Sequence, residues 1–520
     1  MSEHPRYEVN PDHPLLDEVR ETIAFLARIV ADRGQMAGLP AEERRRLIDL
    51  AGQVYSPDMN AKRQLVKQTH RNRKAAKVKR EEATLTETGI RRLRKQNVFT
   101  TPNFFPPDDF AQADVKDDPD FREVAEPQHC YVCKQDFTAV HHFYDQLCPD
   151  CARFNFFKRT ELADLTGRVA LLTGGRVKIG YQAGIKLLRS GARLIVTTRF
   201  PRDSAARYAA EPDFAEWGDR LEVFGLDLRH TPSVEEFCRH MLATHDRLDF
   251  IINNACQTVR RPPDFYRHMM ELETASLGTM PDHVRRLVGN YEGLRGYRML
   301  PEGSAGESVT EPPQVTGAGI VHAAQLSQVA LLPEEAEAQH ALFPEGRLDQ
   351  DLQQVDLRGR NSWRMLMAEV PSVELMEVQL VNAIAPFIIN ARLKPLMMKV
   401  PTRDKHIVNV SAVEGQFYRK FKTTRHPHTN MAKAALNMMT RTAATDYFED
   451  GIHMNSVDTG WVTDEDPVEI AARKVVEHRF HPPLDIVDGA ARIVDPIIHG
   501  LNSGEHVWGQ FLKDYKPTDW

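Results

Sequence analysis

Apolar residues recur along this chain in two rhythms. In the first sixty positions the rhythm is helical. Leu16, Val19, Ile23, Leu26 and Val30 fall three and four residues apart, Gly34 ends the run, and a second helix opening near Pro40 carries Leu47, Ile48 and Val54. Beyond residue 160 the rhythm becomes short, continuous apolar runs separated by helical stretches, which predicts buried strands of a parallel sheet. The runs are Arg168–Leu172, Leu194–Thr198, Leu221–Leu226, Asp249–Asn253 and His406–Val410. A glycine-bearing turn and a helix to Ser190 follow the first run, a helix opens at Thr231-Pro232, and a long helix covers about 430–448. The expected fold class is therefore α/β, with a doubly wound parallel sheet.

Length and charge refine this picture. At 520 residues the chain exceeds one ordinary core, so several units are expected. They are a helical, partly basic region over 1–105, an acidic linker over 106–127, a cysteine module over 128–158, and the α/β domain over 160–520. The stretch 61–80 holds nine Lys/Arg and no Asp/Glu. It reads as a solvated helix or as a surface for an anionic or protein partner. Residues 106–120 hold six Asp and three Pro, hence the linker. A net charge of −6 gives no bulk attraction to nucleic acid or membrane. No run of 18 apolar residues occurs and the opening Met1-Ser2-Glu3-His4-Pro5 lacks a signal pattern, so a cytoplasmic protein with no membrane contact is expected.

Four of the six cysteines form two pairs, Cys130-x-x-Cys133 and Cys148-x-x-Cys151, with 14 residues between them. Two such knuckles offer four thiolates to a tetrahedral zinc with no open position, a structural site. The adjacent Phe154-Asn155-Phe156-Phe157 is expected to pack the module onto its neighbour. Cys238 and Cys256 read as buried thiols of a reducing compartment.

The turn after the first strand reads Thr173-Gly174-Gly175-Arg176-Val177-Lys178-Ile179-Gly180. Glycines there let backbone approach a pyrophosphate at a helix N-terminus. With Asp227-Leu228 after the third strand, Asn253-Asn254-Ala255 after the fourth, Asn382, Lys433 and Asn455–Gly460, the chain resembles the short-chain dehydrogenase/reductase family over about 160–515. The resemblance implies a Rossmann fold, a dinucleotide on these residues, a carbonyl or alcohol substrate, and a homo-oligomer. It assigns Asp227 to adenine, Asn382 a structural catalytic role, Lys433 to the ribose, and Gly460 to the nicotinamide side. Arg199 closes the second strand with no Asp or Glu beside it to take a ribose hydroxyl, which favours NADP over NAD.

The pattern also breaks. Lys178 replaces the family's middle glycine. Ala412 stands at the family's serine, with Ser411 one residue earlier and so turned to the other face. Thr429 stands four before Lys433, where the family has its acid/base tyrosine. Tyr418 is then the nearest substitute by sequence, with His426 and His428 behind it. Asn254 and Asn382 stand 128 positions apart, which leaves about a hundred residues, at roughly 260–372, as an insertion read as a lid, partner surface or oligomer contact. Two readings follow: an oxidoreductase with a departed Ser/Tyr pair, or an inactive nucleotide-binding scaffold that contacts a protein or nucleic-acid partner.

Overall fold

The computed structural model describes residues 15–55, 59–95, 123–294, 322–335, 339, 341–344, 347, 354–417, 422–463, 465, 467, 470 and 481–520. The chain divides into two compact units, Met1–Glu82 and Ala83–Trp520. The first consists of helices Leu16–Ala31 and Ala41–Tyr55 and most of the Met59–Thr86 helix. The Leu16–Ala31 helix ends before Gly34, at Asp32, whose extended backbone breaks the ladder. Neither of the first two helices buries a residue. The acidic stretch 106–120 and the link 302–318 lie outside the described residues.

The second unit holds the sheet. Its strands are β3 (Val169–Thr173), β4 (Arg193–Thr198), β5 (Leu221–Gly225), β6 (Phe250–Asn253), β7 (Lys405–Ser411), β8 (Ile452–Asp458), β9 (Phe511–Lys513) and β10 (Lys516–Thr518). The order is β10-β9-β8-β7-β6-β3-β4-β5, parallel throughout except for the β9–β10 hairpin. Strand pleat explains the continuous apolar runs, because successive side chains feed opposite layers. Leu172, Leu194, Val196, Ile252 and Val408 pack under helices Lys178–Arg189 and Ile486–Ser503. Leu171, Ile195, Ile251 and Ile407 pack under Thr231–Thr244 and Ala385–Met398. The winding direction reverses between β3 and β6, which opens a crevice at the carboxyl ends of the strands.

Three expectations need adjustment. β8 lies between β7 and β9, although the sequence reading treated its Asn455–Asp458 part only as a cofactor segment. Residues 123–127, expected at the end of the linker, are most of β1 (Glu123–His129). This strand pairs with β2 (Asp136–Ala139) and buries Val124, so it belongs to the cysteine module. Helix Ser372–Met398 is long and apolar enough, by length and composition alone, to cross a membrane. Here it carries Val378, Ile389, Leu393 and Leu396 into the core.

The described part of the insertion forms helices Pro263–Thr274, Asp282–Leu287 and Gly289–Leu294. Tyr291 is buried in the same core layer as Phe224 of β5, so the insertion covers the outer edge of the sheet. Arg202 anchors it through Glu292 at 3.0 Å, with both side chains buried.

Candidate functional site

A cleft of about 870 Å³ opens at the strand ends. Gly174, Arg176, Lys178, Ile179 and Gly180 form one end of it, where the Lys178–Arg189 helix begins. The turn is tight. A Cβ at Gly180 would lie 2.2 Å from the Gly174 carbonyl oxygen and 2.4 Å from Asn254 Nδ2. Asn254 holds the turn by donating to the carbonyls of Thr173 and Gly174, each at 3.1 Å. The Thr173 hydroxyl accepts from the Ala255 N–H at 3.1 Å. Gly175 stands behind the turn, against Val196. Lys178 has φ +55°, in the left-handed region. That conformation explains the family's glycine at this position and costs a lysine roughly 1–2 kcal/mol. Half-buried Glu465 also lines the cleft; desolvation raises its carboxyl, but Lys178 and Thr463 hold it below its ordinary value. These features, a wound backbone at a helix N-terminus with cations beside it, fit a dinucleotide pyrophosphate.

At the other end of this half, Arg199 lines the cleft just after β4. Its Nη2 donates to the Tyr266 hydroxyl at 2.6 Å, and the guanidinium sits 4.5 Å from that ring's centre. Asp227 and Leu228 also line the cleft. Burial works to raise the Asp227 carboxyl, but Arg229, whose Nη2 is 2.6 Å away, outweighs it and holds the carboxyl low. Asn253 does not line the cleft. Its amide donates to Asn390 at 2.8 Å and Asn409 at 2.9 Å in a buried polar network, because its position on β6 points it into the layer below.

The expected catalytic set divides. Ser411 and Lys433 line the cleft, with Ala412 beside them. The Ser411 hydroxyl is buried without a hydrogen-bond partner, and Lys433 Nζ donates to the Val410 carbonyl at 2.8 Å. Asn382 sits in a π-helical turn, Leu380–Ile384, where it accepts from the Gln257 N–H at 2.7 Å and donates to its carbonyl at 3.1 Å. It is therefore a clamp on the loop after β6. Thr429 is buried in the Pro427–Glu449 helix, its hydroxyl unpartnered, and is not among the described residues of the cleft wall. Tyr418 lies outside the described residues. His426 stacks on Trp363 with ring centres 3.9 Å apart, and His428 lies 3.3 Å from Glu374; neither is among the described lining residues.

The remaining wall comes from places the sequence reading did not connect. Cys256, expected to be a buried thiol, is exposed on the cleft wall, because the chain leaves the sheet at Asn253. Gly460 lines the cleft with φ +76° beside buried Asp458, which accepts from the Gly460 N–H at 2.9 Å and from the Val413 N–H at 2.8 Å. Burial raises the Asp458 carboxyl. Tyr131 and Lys134 reach the cleft from the cysteine module. The Tyr131 hydroxyl accepts from the Trp461 N–H at 3.0 Å, and Lys513 Nζ lies 5.2 Å from its ring centre. Burial raises the Tyr131 phenol, with Lys513 opposing. The only sequence signal was its position inside the first Cys-x-x-Cys.

That module places the thiols of Cys130, Cys133, Cys148 and Cys151 within 4.8 Å of one another. Cys133 and Cys148 sulfurs are 3.7 Å apart, against about 3.8 Å for two corners of a tetrahedron with 2.3 Å bonds. The donor set and spacing fit zinc. The module docks through Phe143, Tyr144 and Phe156, which share a core with Val462 and Leu484 and with the partly buried Ile179. Phe154 and Phe157 are exposed, so only part of the expected aromatic contact is made. Arg159 instead adds buried ion pairs to Asp485 at 2.6 Å and Asp488 at 3.0 Å.

Comparison with known proteins agrees with this architecture. A model described as short chain dehydrogenase matches residues 168–273, and one described as enoyl-(acyl carrier protein) reductase matches 358–481. An uncharacterized protein of Acanthamoeba polyphaga mimivirus is 31% identical over 396 residues, 74% of either chain. Dehydrogenase/reductase SDR family member 13 of Bos taurus is 36% identical over 107 residues, 19% of this chain and 28% of that protein. Retinol dehydrogenase 14 of Homo sapiens is 36% identical over 102 residues, 17% of this chain and 30% of that one. Among solved structures, a short chain dehydrogenase from Shigella flexneri covers 69% of this chain and 97% of its own at 15% identity, with a TM-score of 0.40. One from Burkholderia cenocepacia in complex with NADP covers 67% and 96% at 15% identity, TM-score 0.40. The chain belongs to the short-chain dehydrogenase/reductase family, as a divergent member.

Proposed function

We propose that this chain binds NADP(H) and reduces a carbonyl compound, with Tyr131 of the cysteine module donating the proton and a structural zinc on its four cysteines. The observation that carries the reading is the phenol of Tyr131 on the cleft wall, beside Gly460 and Trp461. When bound, the cofactor supplies hydride from its C4. Residues 174–180 take the pyrophosphate, Arg199 the 2′-phosphate and Lys433 the ribose. Like any tyrosine, Tyr131 is protonated at neutral pH, and burial, by raising the phenol, makes it a weaker acid that gives up its proton only as negative charge develops on the substrate oxygen. It is thus a donor in the reducing direction and a poor base in the oxidising one. The proton passes to the substrate oxygen as hydride reaches the carbonyl carbon, and solvent restores it.

The test is NADPH consumption over a broad carbonyl panel. Tyr131→Phe should lower kcat on any substrate found by about two to four orders of magnitude, with NADPH affinity unchanged. Turnover that survives Tyr131→Phe sinks the donor assignment. Ala412 and the buried Thr429 favour a second reading, a nucleotide-binding scaffold with an anionic or protein partner on 61–80. Tight NADPH binding with no turnover anywhere on the panel would select it.

A further inference from the structure

At the opposite end of the sheet from the cleft stand three histidines that the proposed reaction does not use. His406 and His453 are the second residues of β7 and β8 and face each other directly in the parallel register. His506 lies in the loop between helix Ile486–Ser503 and β9. Their ring centres form a near-equilateral triangle with sides of 5.1, 5.1 and 4.9 Å. One ring nitrogen from each lies within 4.8 Å of the others.

We propose that His406, His453 and His506 bind one divalent transition-metal ion of the zinc, copper and nickel class, with a fourth coordination position left to water.

Four observations support the site. His453 Nδ1 lies 3.2 Å from the Lys405 carbonyl, which can only accept, so Nδ1 carries the proton and Nε2 is a lone pair. A backbone carbonyl on the far nitrogen is the way metal-binding imidazoles are oriented. His406 Nε2 and His506 Nδ1 face each other at 2.9 Å. Two nitrogens on one tetrahedral ion with bonds of about 2.0–2.1 Å stand about 3.3 Å apart, so an opening of a few tenths of an ångström admits the ion. His406 Nδ1 is buried without a hydrogen-bond partner, so among the described residues the hydrogen bond of this imidazole's ring goes to another imidazole, that of His506. Finally, Gly500 faces the pair. A Cβ there would lie 2.6 Å from His506 Nδ1 and 3.2 Å from His406 Nε2, so the glycine keeps clear the space an ion would share. Three neutral nitrogens suit zinc, copper and nickel, and three protein ligands leave an open position. Such an ion would tie β7, β8 and the last helix together at a point where His506 gives access from solvent.

The experiment measures zinc per chain by equilibrium dialysis on the full protein, with copper(II) electron paramagnetic resonance as a second readout. Wild type should hold about two zinc ions, and His506→Gln about one, with the cysteine site retained. His506 is only partly buried, so this variant leaves the core intact. Gly500→Ala should reduce the content in the same way without removing a ligand, with near-ultraviolet circular dichroism reporting the fold. Bound copper(II) should show imidazole nitrogen hyperfine structure that persists in Cys133→Ser and vanishes in His506→Gln. Equal zinc content in wild type and His506→Gln, or copper spectra unchanged by that substitution, would overturn the proposal.

Discussion

Charge reversal at Arg199 gives the sharpest test of the nucleotide assignment. The side chain is held before any ligand arrives, by the Tyr266 hydroxyl at 2.6 Å and by that ring at 4.5 Å. Little rotamer entropy is therefore left to lose on binding; a mobile side chain would give up about 0.5–1.5 kcal/mol. A charge-assisted hydrogen bond contributes about 1.5–3 kcal/mol, and each 1.4 kcal/mol is tenfold in affinity. Wild type should thus bind NADPH about 10- to 100-fold more tightly than NADH. Arg199→Ala should bring the two close to equality, and Arg199→Glu should invert the order by setting a carboxylate against the 2′-phosphate. Tyr266→Phe should cost a few-fold in NADPH affinity alone, since the ring stays and only the anchor goes. Isothermal titration with both dinucleotides reads each number directly, and added salt should narrow the NADPH advantage. An Arg199→Glu protein that still prefers NADPH, or a wild type that prefers NADH, would refute this account of β4.

Other substitutions probe the rest. Cys133→Ser should lose one zinc per chain relative to wild type by metal analysis, and should lower Tm; unchanged metal content would refute the four-thiolate site. Gly180→Ala should abolish dinucleotide stabilisation in a thermal shift, because its Cβ would meet the Gly174 carbonyl at 2.2 Å; a normal NADPH shift would show that the turn yields. Buried Glu273 is pushed up to about 7, chiefly by desolvation, and accepts from the Asp203 N–H at 3.0 Å. Its folded value exceeds the unfolded one of about 4.3, so the native state holds a proton that the unfolded chain has lost between those values. Stability should then fall as pH rises from about 4.5 to 7.5, by on the order of 3 kcal/mol. Denaturant melts of Glu273→Gln should lack this slope, and an identical slope in the variant would exclude Glu273 as its source.

How much of this was legible before the structure follows from the kind of signal each residue carries. The strands β3 to β7 were readable because burial on both faces makes them apolar throughout. The glycine turn was readable from its glycines between a strand and a helix, whereas Asn254 and Lys433 were picked out only through the family resemblance, and the structure sets all of them on or beside the cleft. β8 was not readable as a strand: Ile452–Asp458 mixes His453, Asn455 and Ser456 into a buried position, where each finds its own partner, Ser456 the Thr440 hydroxyl, Asn455 the Val507 carbonyl and Gln510 N–H, and His453 the Lys405 carbonyl. Asn253 looked like a ligand-binding residue because type and position matched a motif; only the direction of its side chain reveals its place in that network. Tyr131 was hidden for a different reason. Nothing local links a residue near 131 to one near 461, and the contact exists only because the cysteine module folds back onto the sheet.

If Tyr131 is the proton donor, that contact bears on how catalysis persists without the family's serine and tyrosine. The family's tyrosine sits on the helix that carries Lys433, where this chain has Thr429 turned into the core. A replacement donor must come from an element fixed to the cofactor end as firmly as that helix is. The cysteine module meets this requirement. It shares a core with Ile179 at the start of the Lys178–Arg189 helix and with Val462 beyond Gly460, so it touches both lips of the cleft. Its buried ion pairs from Arg159 to Asp485 and Asp488 are costly to break once formed. The position of the Tyr131 hydroxyl therefore depends on the integrity of the four-cysteine knot, about which the chain at 130–133 turns. A zinc in that knot would be structural in its coordination and yet would set the geometry of proton transfer, so loosening the knot should erode turnover before it erodes nucleotide binding.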